Sequence, residues 1–268
     1  MLSVSLFGVF RVSRIDEQIW SDLGSAGRGL ASFLFTFPDR PHRRERLAEL
    51  FWPDLGEERS RRALNSAIWR LRKVLAAASE SKDHASLKTV GSETILERAP
   101  WLDIDAWALR QSTATALHRP DEMLSQQTLR EIAAVLYRYE GPFLDGDDGD
   151  WILEERERLH SHFVQASLVV VRNLGLHALY DDAIRLARHA LRFDPFREEL
   201  VRQLIVLLAL DERRFEAIRY YETWSGLLRR ELGIPPLAAT RAVLDEVRNL
   251  QDGDGARDLR ARLLSMRR

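Results

Sequence analysis

Between Arg59 and Lys73 the chain carries six basic residues and no acidic one. Leu64, Ile68, Leu71 and Leu75 recur through the same stretch at the i, i+4, i+7, i+11 spacing of a helix packed on a core. At about 100° per residue, Arg59, Arg62, Ser66, Trp69 and Lys73 fall on the opposite face, with Arg70 beside them. That face offers charge pairing and hydrogen bonding. Guanidinium pairs with guanine O6 and N7 or with phosphate, and hydroxyl and amide groups reach base edges. A helix that reads DNA needs this division, with its back on its own domain and its front in the major groove. Arg62, Arg70 and Lys73 are the expected phosphate or guanine contacts, with Arg59 a further outward cation. Asn65 and Ser66 are placed for base edges or phosphate. Arg61 and Arg72 lie nearer the flank, where backbone contact or pairing with Glu57 or Glu58 is expected. Trp69 has two readings: packing on a thymine methyl or a sugar, or filling a gap against the wing that follows.

A lone basic helix is more often a solvated surface than a reader of DNA, so the flanking elements decide. His42 to Phe51 reads as a short helix with Leu47, Leu50 and Phe51 inward, ended by Pro53. Arg43 and Arg44 stand at its start, where free N–H groups also favour phosphate. Trp52 is expected in the core. Downstream, after a polar loop at Ser79–Ser86, Leu87–Val90 and Thr94–Leu96 flank Gly91-Ser92-Glu93 and read as a hairpin. Lys88 and Thr89 on it are candidates for backbone or minor-groove contact, with plain solvent exposure the alternative. Upstream, residues 2–12 read as two short strands broken near Gly8, with a further short strand at Ile19-Trp20. Arg28 to Phe37 is apolar enough for a buried helix that stops before Pro38. Strands, three helices and a hairpin form the chain order of a winged helix.

From about Asp103 onward the pattern is almost wholly helical, with helices expected over Glu131–Tyr139 and Trp151–Leu174. Tyr180-Asp181-Asp182-Ala183, Ala187, Ala190-Leu191 and Asp194-Pro195 match the second half of a tetratricopeptide unit. Ala183 and Ala217 are separated by that repeat's period of about 34 residues. Residues 251–268 read as a basic, frayed tail. The length of 268 residues suits two domains. The formal net charge is −1, yet residues 1–100 hold 16 Lys/Arg against 13 Asp/Glu and the remainder 24 against 28. Positive charge is therefore concentrated where the basic helix lies, and a local patch is enough for phosphate contact because screening limits each charge to about 8–10 Å.

Several chemistries find no support. The chain has no cysteine, which removes disulfides, thiolate nucleophiles and most structural zinc sites. The Trp52-Pro53-Asp54 sequence resembles the acid loop of tyrosine phosphatases, but that chemistry needs a cysteine nucleophile. Asp145 to Asp150 resembles a calcium loop in composition, yet Arg156 stands where the twelfth-position glutamate would be. A turn capping the following helix is the simpler reading. His160 and His162 face different sides of a helix and make a poor metal pair. No phosphate-cradling glycine motif and no nucleophile–base constellation is present. The expectation is a non-enzyme with no metal and no cofactor. With no leader-like N-terminus and no apolar run near 18 residues, a soluble cytoplasmic protein is expected.

Taken together, RERLAELFWPD (44–54), ERSRRALNSAIWRLRKVL (58–75), LKTVGSETIL (87–96), LDIDAW (102–107), YEGPFLDGDDGDWILEERERL (139–159), DDAIRLARHALRFDPFREEL (181–200) and LLRRELGIPPLAATRAVLDEV (227–247) resemble the AfsR/SARP family of bacterial transcription activators. Nearly the whole chain is covered. The resemblance implies a mainly α protein: an N-terminal winged helix-turn-helix (α+β) of the OmpR/PhoB type over 1–100, then an all-α tetratricopeptide-like activator domain over 103–250. It also implies binding of double-stranded DNA at direct repeats near a promoter and contact with RNA polymerase holoenzyme. A single winged helix reads only a short element, so a homo-oligomer on repeated half-sites is expected. Two departures stand out. Gly27-Arg28-Gly29 replaces the family's basic helical start, so the first helix is expected to begin late, and Trp69 is an unusual large aromatic on the contact face. The rival reading is a tetratricopeptide-type scaffold or small-molecule sensor whose winged helix does not read DNA.

Overall fold

Helix-forming sequence with apolar stripes dominates this chain, and the structure, a computed structural model, is accordingly mainly helical, with a small sheet region near the N-terminus. It describes residues 1–14, 17–18, 23–78, 86–118, 123–250 and 255–265. The short strand expected at Ile19-Trp20 and residues 79–85 of the polar loop lie outside them. Two compact units are present: Met1–Ala108 with Gly141–Arg156, and Leu109–Glu140 with Glu157–Arg268. The first unit thus includes two stretches, 101–108 and 141–156, that lie past the boundary drawn from the sequence at residue 100.

In chain order the first unit holds strands β1 (Leu2–Ser5), β2 (Arg11–Arg14) and β3 (Glu17–Gln18), helix α1 (Gly24–Thr36), strand β4 (His42–Arg43), helices α2 (Arg44–Phe51) and α3 (Glu57–Ala78), and strands β5 (Leu87–Val90), β6 (Glu93–Leu96) and β7 (Leu102–Ile104). One sheet runs β3-β2-β1-β7, with β7 parallel to β1 and the other pairings antiparallel. Leu2, Val4, Val12, Leu102 and Ile104 point into the core from it. Asp105 follows β7 and is buried. Its carboxylate accepts the amides of Leu6 and Phe7 at 2.9–3.1 Å and of Ala106 at 2.7 Å. The segment from 141 returns beside β1, with Gly8 N–H donating to Pro142 and Leu144 N–H donating to Leu6. Trp151 then packs edge-on against Phe33 of α1 and against Phe143, with ring centroids 5.0 and 6.1 Å away.

The three helices and the hairpin form where the sequence places them, with local differences. The first helix begins at Gly24, earlier than expected. Gly29 within it faces Phe51 of α2 so closely that a Cβ would lie 3.2 Å from that ring. A glycine there admits α2 rather than delaying α1. His42 and Arg43 are not helical: they pair antiparallel with β6, His42 opposite Thr94 and Arg43 opposite Glu93. Trp52 is half-buried rather than a core residue. The β5–β6 turn is Gly91-Ser92, and Gly91 has φ +57°, a conformation that favours glycine.

The second unit is built from α4 (Asp105–His118), which starts in the first unit, α5 (Gln126–Leu136), α6 (Asp150–Leu176), which also starts there, α7 (Tyr180–Leu191), α8 (Glu198–Leu210), α9 (Arg214–Leu232), α10 (Ala238–Arg248) and α11 (Gly255–Ser265). Helix α8 is the axis, with α7, α9, α10 and α11 packed on it. Ala183, Ala187, Ala190 and Ala217 are fully buried, which lets these helices approach closely. The expected frayed tail is instead partly the helix α11. Leu259 and Leu263, four residues apart, are both buried, and Arg260 donates to the Leu176 carbonyl at 2.7 Å. His160 and His162 do not meet as ligands. His160 Nδ1 lies 3.1 Å from the Tyr139 hydroxyl, and no metal-holding cluster occurs among the described residues.

Candidate nucleic-acid interface

The candidate interface is built on α3. Leu64, Ile68, Leu71 and Leu75 are buried at 2% exposure or less, so the apolar stripe fixes the roll of the helix. The outward face follows from that roll: Arg59, Arg61, Arg62, Asn65, Ser66, Trp69, Arg70 and Lys73 are all exposed. Glu57 and Glu58 open the helix, where its dipole favours negative charge. Arg61 pairs with Glu57 at 2.8 Å, as its position on the flank suggests. Arg62 pairs with Glu58 one turn earlier. Both pairs are highly exposed and therefore weak, so the guanidiniums can exchange a carboxylate for another anion at little cost. Arg59 and Lys73 meet no carboxylate among the described residues. The Ser66 hydroxyl donates back to the Arg62 carbonyl at 3.1 Å, an arrangement open to rotation. Trp69 is 63% exposed, with the Lys73 ammonium 5.6 Å from its ring centroid.

The hairpin is held beside α3 by two arginines. Leu87 faces the core, and the two-residue alternation of a strand turns Thr89 to the same side. Thr94 stands directly opposite Thr89 on β6. Arg72 of α3 donates from Nε to the Leu87 carbonyl at 2.9 Å and from its terminal nitrogen to Thr89 Oγ1 at 2.6 Å. Arg44 at the start of α2 donates to Thr89 Oγ1 at 3.4 Å, to Thr94 Oγ1 at 3.3 Å and to Asn65 Oδ1. One hydroxyl therefore accepts from two guanidiniums, and α2, α3, β5 and β6 converge on it. Burial first, and then the nearby Arg72 charge, lower the Arg44 guanidinium from its ordinary value. Arginine stays protonated regardless, so two positive charges persist at this junction.

The predicted residues therefore divide into two groups. Arg59, Arg62, Ser66, Trp69, Arg70 and Lys73 share the outward face of α3. Arg44, Asn65 and Thr89 meet in the junction, with Arg44 half-buried. Arg43 is exposed on β4. Lys88 is exposed on the wing and paired with Glu97 at 2.7 Å. Arg72 does not pair with Glu57 or Glu58. It clamps the hairpin, a role that the alternation of Leu87 and Thr89 could have signalled. Val90, exposed at the wing tip, is the other residue that sequence reasoning passed over.

In the acidic turn after Phe143, Arg156 donates to the carbonyls of Phe143, Leu144 and Asp147 at 2.8–2.9 Å. The residue that fails the calcium pattern closes the turn from the start of α6.

Comparison with known proteins bears on both units. A family model described as the bacterial transcriptional activator domain matches residues 104–248. No curated protein matches in sequence. Among solved structures, Mycobacterium tuberculosis EmbR, determined in complex with a low-affinity phosphopeptide, is similar with a TM-score of 0.72 and 20% identity, over 98% of this chain and 69% of that one. At that identity the likeness is one of fold. It agrees with the mainly helical architecture preceded by a small sheet region.

Proposed function

The chain belongs to the bacterial transcriptional activator domain family, and on that premise we propose that it is a sequence-specific DNA-binding regulator that activates transcription. The observation that carries the reading is the outward face of α3: cations, a hydroxyl and an amide on one side of a helix whose other side is fixed in the core. In this reading α3 lies in the major groove. Arg62, Arg70 and Lys73 contact guanine or phosphate, and Ser66 works at base edges together with the amide nitrogen of Asn65, whose oxygen is held by Arg44. Arg43, Arg59 and Lys88 touch backbone phosphates. Arg44 and Thr89 set the angle of the wing. The helical unit supplies the surface for self-association on repeated half-sites, for contact with RNA polymerase holoenzyme, or both. Such a protein works in the bacterial cytoplasm, where its template lies. The reading is of a regulator with no catalytic role.

The test is fluorescence anisotropy with DNA from the region upstream of the chain's own gene, titrated with salt. Expected is saturable binding that weakens roughly a thousandfold or more between about 50 and 200 mM salt, as contact with six or more phosphates requires. Unlabelled DNA of unrelated sequence should compete poorly. Shallow salt dependence with no sequence preference would return the chain to the scaffold or sensor reading.

A further inference from the structure

Trp69 stands in the middle of a row. Arg62, Ser66, Trp69 and Lys73 follow one another at spacings of four, three and four residues, so they line one ridge of α3. Three members of the ridge are polar or charged and suit phosphates, guanine or water. The fourth is the largest apolar side chain available, and 63% of it is exposed. That exposure removes the alternative in which the indole fills a gap against the hairpin. The hairpin is held instead by Arg72 and Arg44, through Thr89. The Lys73 ammonium over the ring, at 5.6 Å from the centroid, biases the indole to one orientation along the ridge.

An apolar group that lies on a cationic, groove-facing ridge needs an apolar partner to gain from leaving water. The base edges of the major groove present one such group, the C5 methyl of thymine. Guanine, cytosine and adenine show only donors and acceptors there. We propose that Trp69 is a specificity-determining residue that reads a thymine methyl in the major groove. The inference rests on the DNA-binding reading of α3 and adds to it the base that this residue selects.

The experiment is a selection from a random duplex library with the full chain, followed by single-atom-group changes in the selected site. Expected is an enriched sequence with a thymine at a fixed position. Replacing that thymine by deoxyuridine, which removes only the methyl, should weaken binding about fourfold, the value of one buried methyl group. Trp69→Ala should bind the thymine and deoxyuridine sites equally, and selection with that variant should lose the thymine while keeping its neighbours. Trp69→Phe should keep the preference. Because the side chain is exposed, circular dichroism of both variants should match the parent. Deoxyuridine that weakens no bound complex, or that weakens parent and Trp69→Ala alike, overturns the inference. So does a Trp69→Ala loss that is uniform across all sequences, the mark of a sugar contact. A selection that enriches nothing overturns the DNA reading itself, and this inference with it.

Discussion

Helices α3 and α8 both bury leucines, and they do so in opposite ways. In α3 one stripe is buried and the rest of the surface is solvated. In α8, Leu200, Val201, Leu204, Ile205, Val206, Leu207 and Leu208 are all fully buried, because four other helices surround it. A helix buried along most of its circumference has little face left for a partner, whereas α3 keeps half of its surface solvated. The difference separates what maintains the fold from what is available for function, and substitutions can test whether it holds.

The largest effect is expected on the exposed side of α3. Arg62→Ala combined with Arg70→Ala should abolish specific DNA binding, since a guanidinium pairing with guanine is worth about 1–3 kcal/mol. The thermal midpoint should be unchanged. Binding with unaltered affinity and salt slope would mean that the outward face of α3 is not the reader. Leu204→Ala in α8 should do the converse, costing about 2–5 kcal/mol through lost burial and the cavity left behind. Calorimetry should show the transition of the second unit moving down, while intrinsic DNA contact by the first unit is retained. Thr89→Val tests the junction between the two kinds of surface. It keeps the shape but removes the hydroxyl that Arg44 and Arg72 share. About 1 kcal/mol of stability should go, and affinity should fall several-fold with the salt slope intact, because no phosphate contact has been deleted. A slope reduced by about one would instead make Thr89 a backbone contact.

The smallest effect is a pH dependence common to both units. Burial lowers His42 in the first unit, opposed in part by the Phe37 carbonyl and assisted by the charges of Arg40 and Arg46. Burial lowers His189 in the second, among Tyr137, Phe163 and Phe193, again with a carbonyl, that of Leu136, opposing. The unfolded chain takes up protons near the ordinary value of 6.5, before the folded chain does. Stability is therefore whole above about pH 6.5 and declines as pH falls through the lower folded values. Melting curves between pH 7.5 and 5 should show both units weakening. His42→Gln and His189→Gln should each flatten the slope of its own unit.

Much of this architecture is readable from local pattern. The stripe of α3, the hairpin around Gly91 and the small residues at Ala183, Ala187 and Ala190 each announce themselves within a dozen residues, because periodicity and turn chemistry are local properties. What the pattern misses depends on distant partners. His42 and Arg43 look like the start of a helix until β6, fifty residues on, offers them a ladder. The glycines of α1 read as a weak helix start when only their own propensity is weighed, and as a close packing site once Phe51 is in view. Leu259 and Leu263 are too few to signal a helix alone, and α8 supplies the surface that orders them. The same holds for the candidate site. Its outward face follows from helical angle alone, but the clamp made by Arg44 and Arg72 on Thr89 joins residues up to 45 positions apart.

The return of residues 141–156 to the first unit has a consequence for how the chain is made. Phe143 and Trp151 complete a core begun by β1 and α1, yet a ribosome delivers them only after the whole of α4 and α5 has been synthesised. The first unit therefore cannot finish folding as soon as its wing emerges. At about 5–20 residues per second, it waits several seconds in a partly open state, with Phe33 lacking its Trp151 neighbour, and is completed only when the second unit is already under construction.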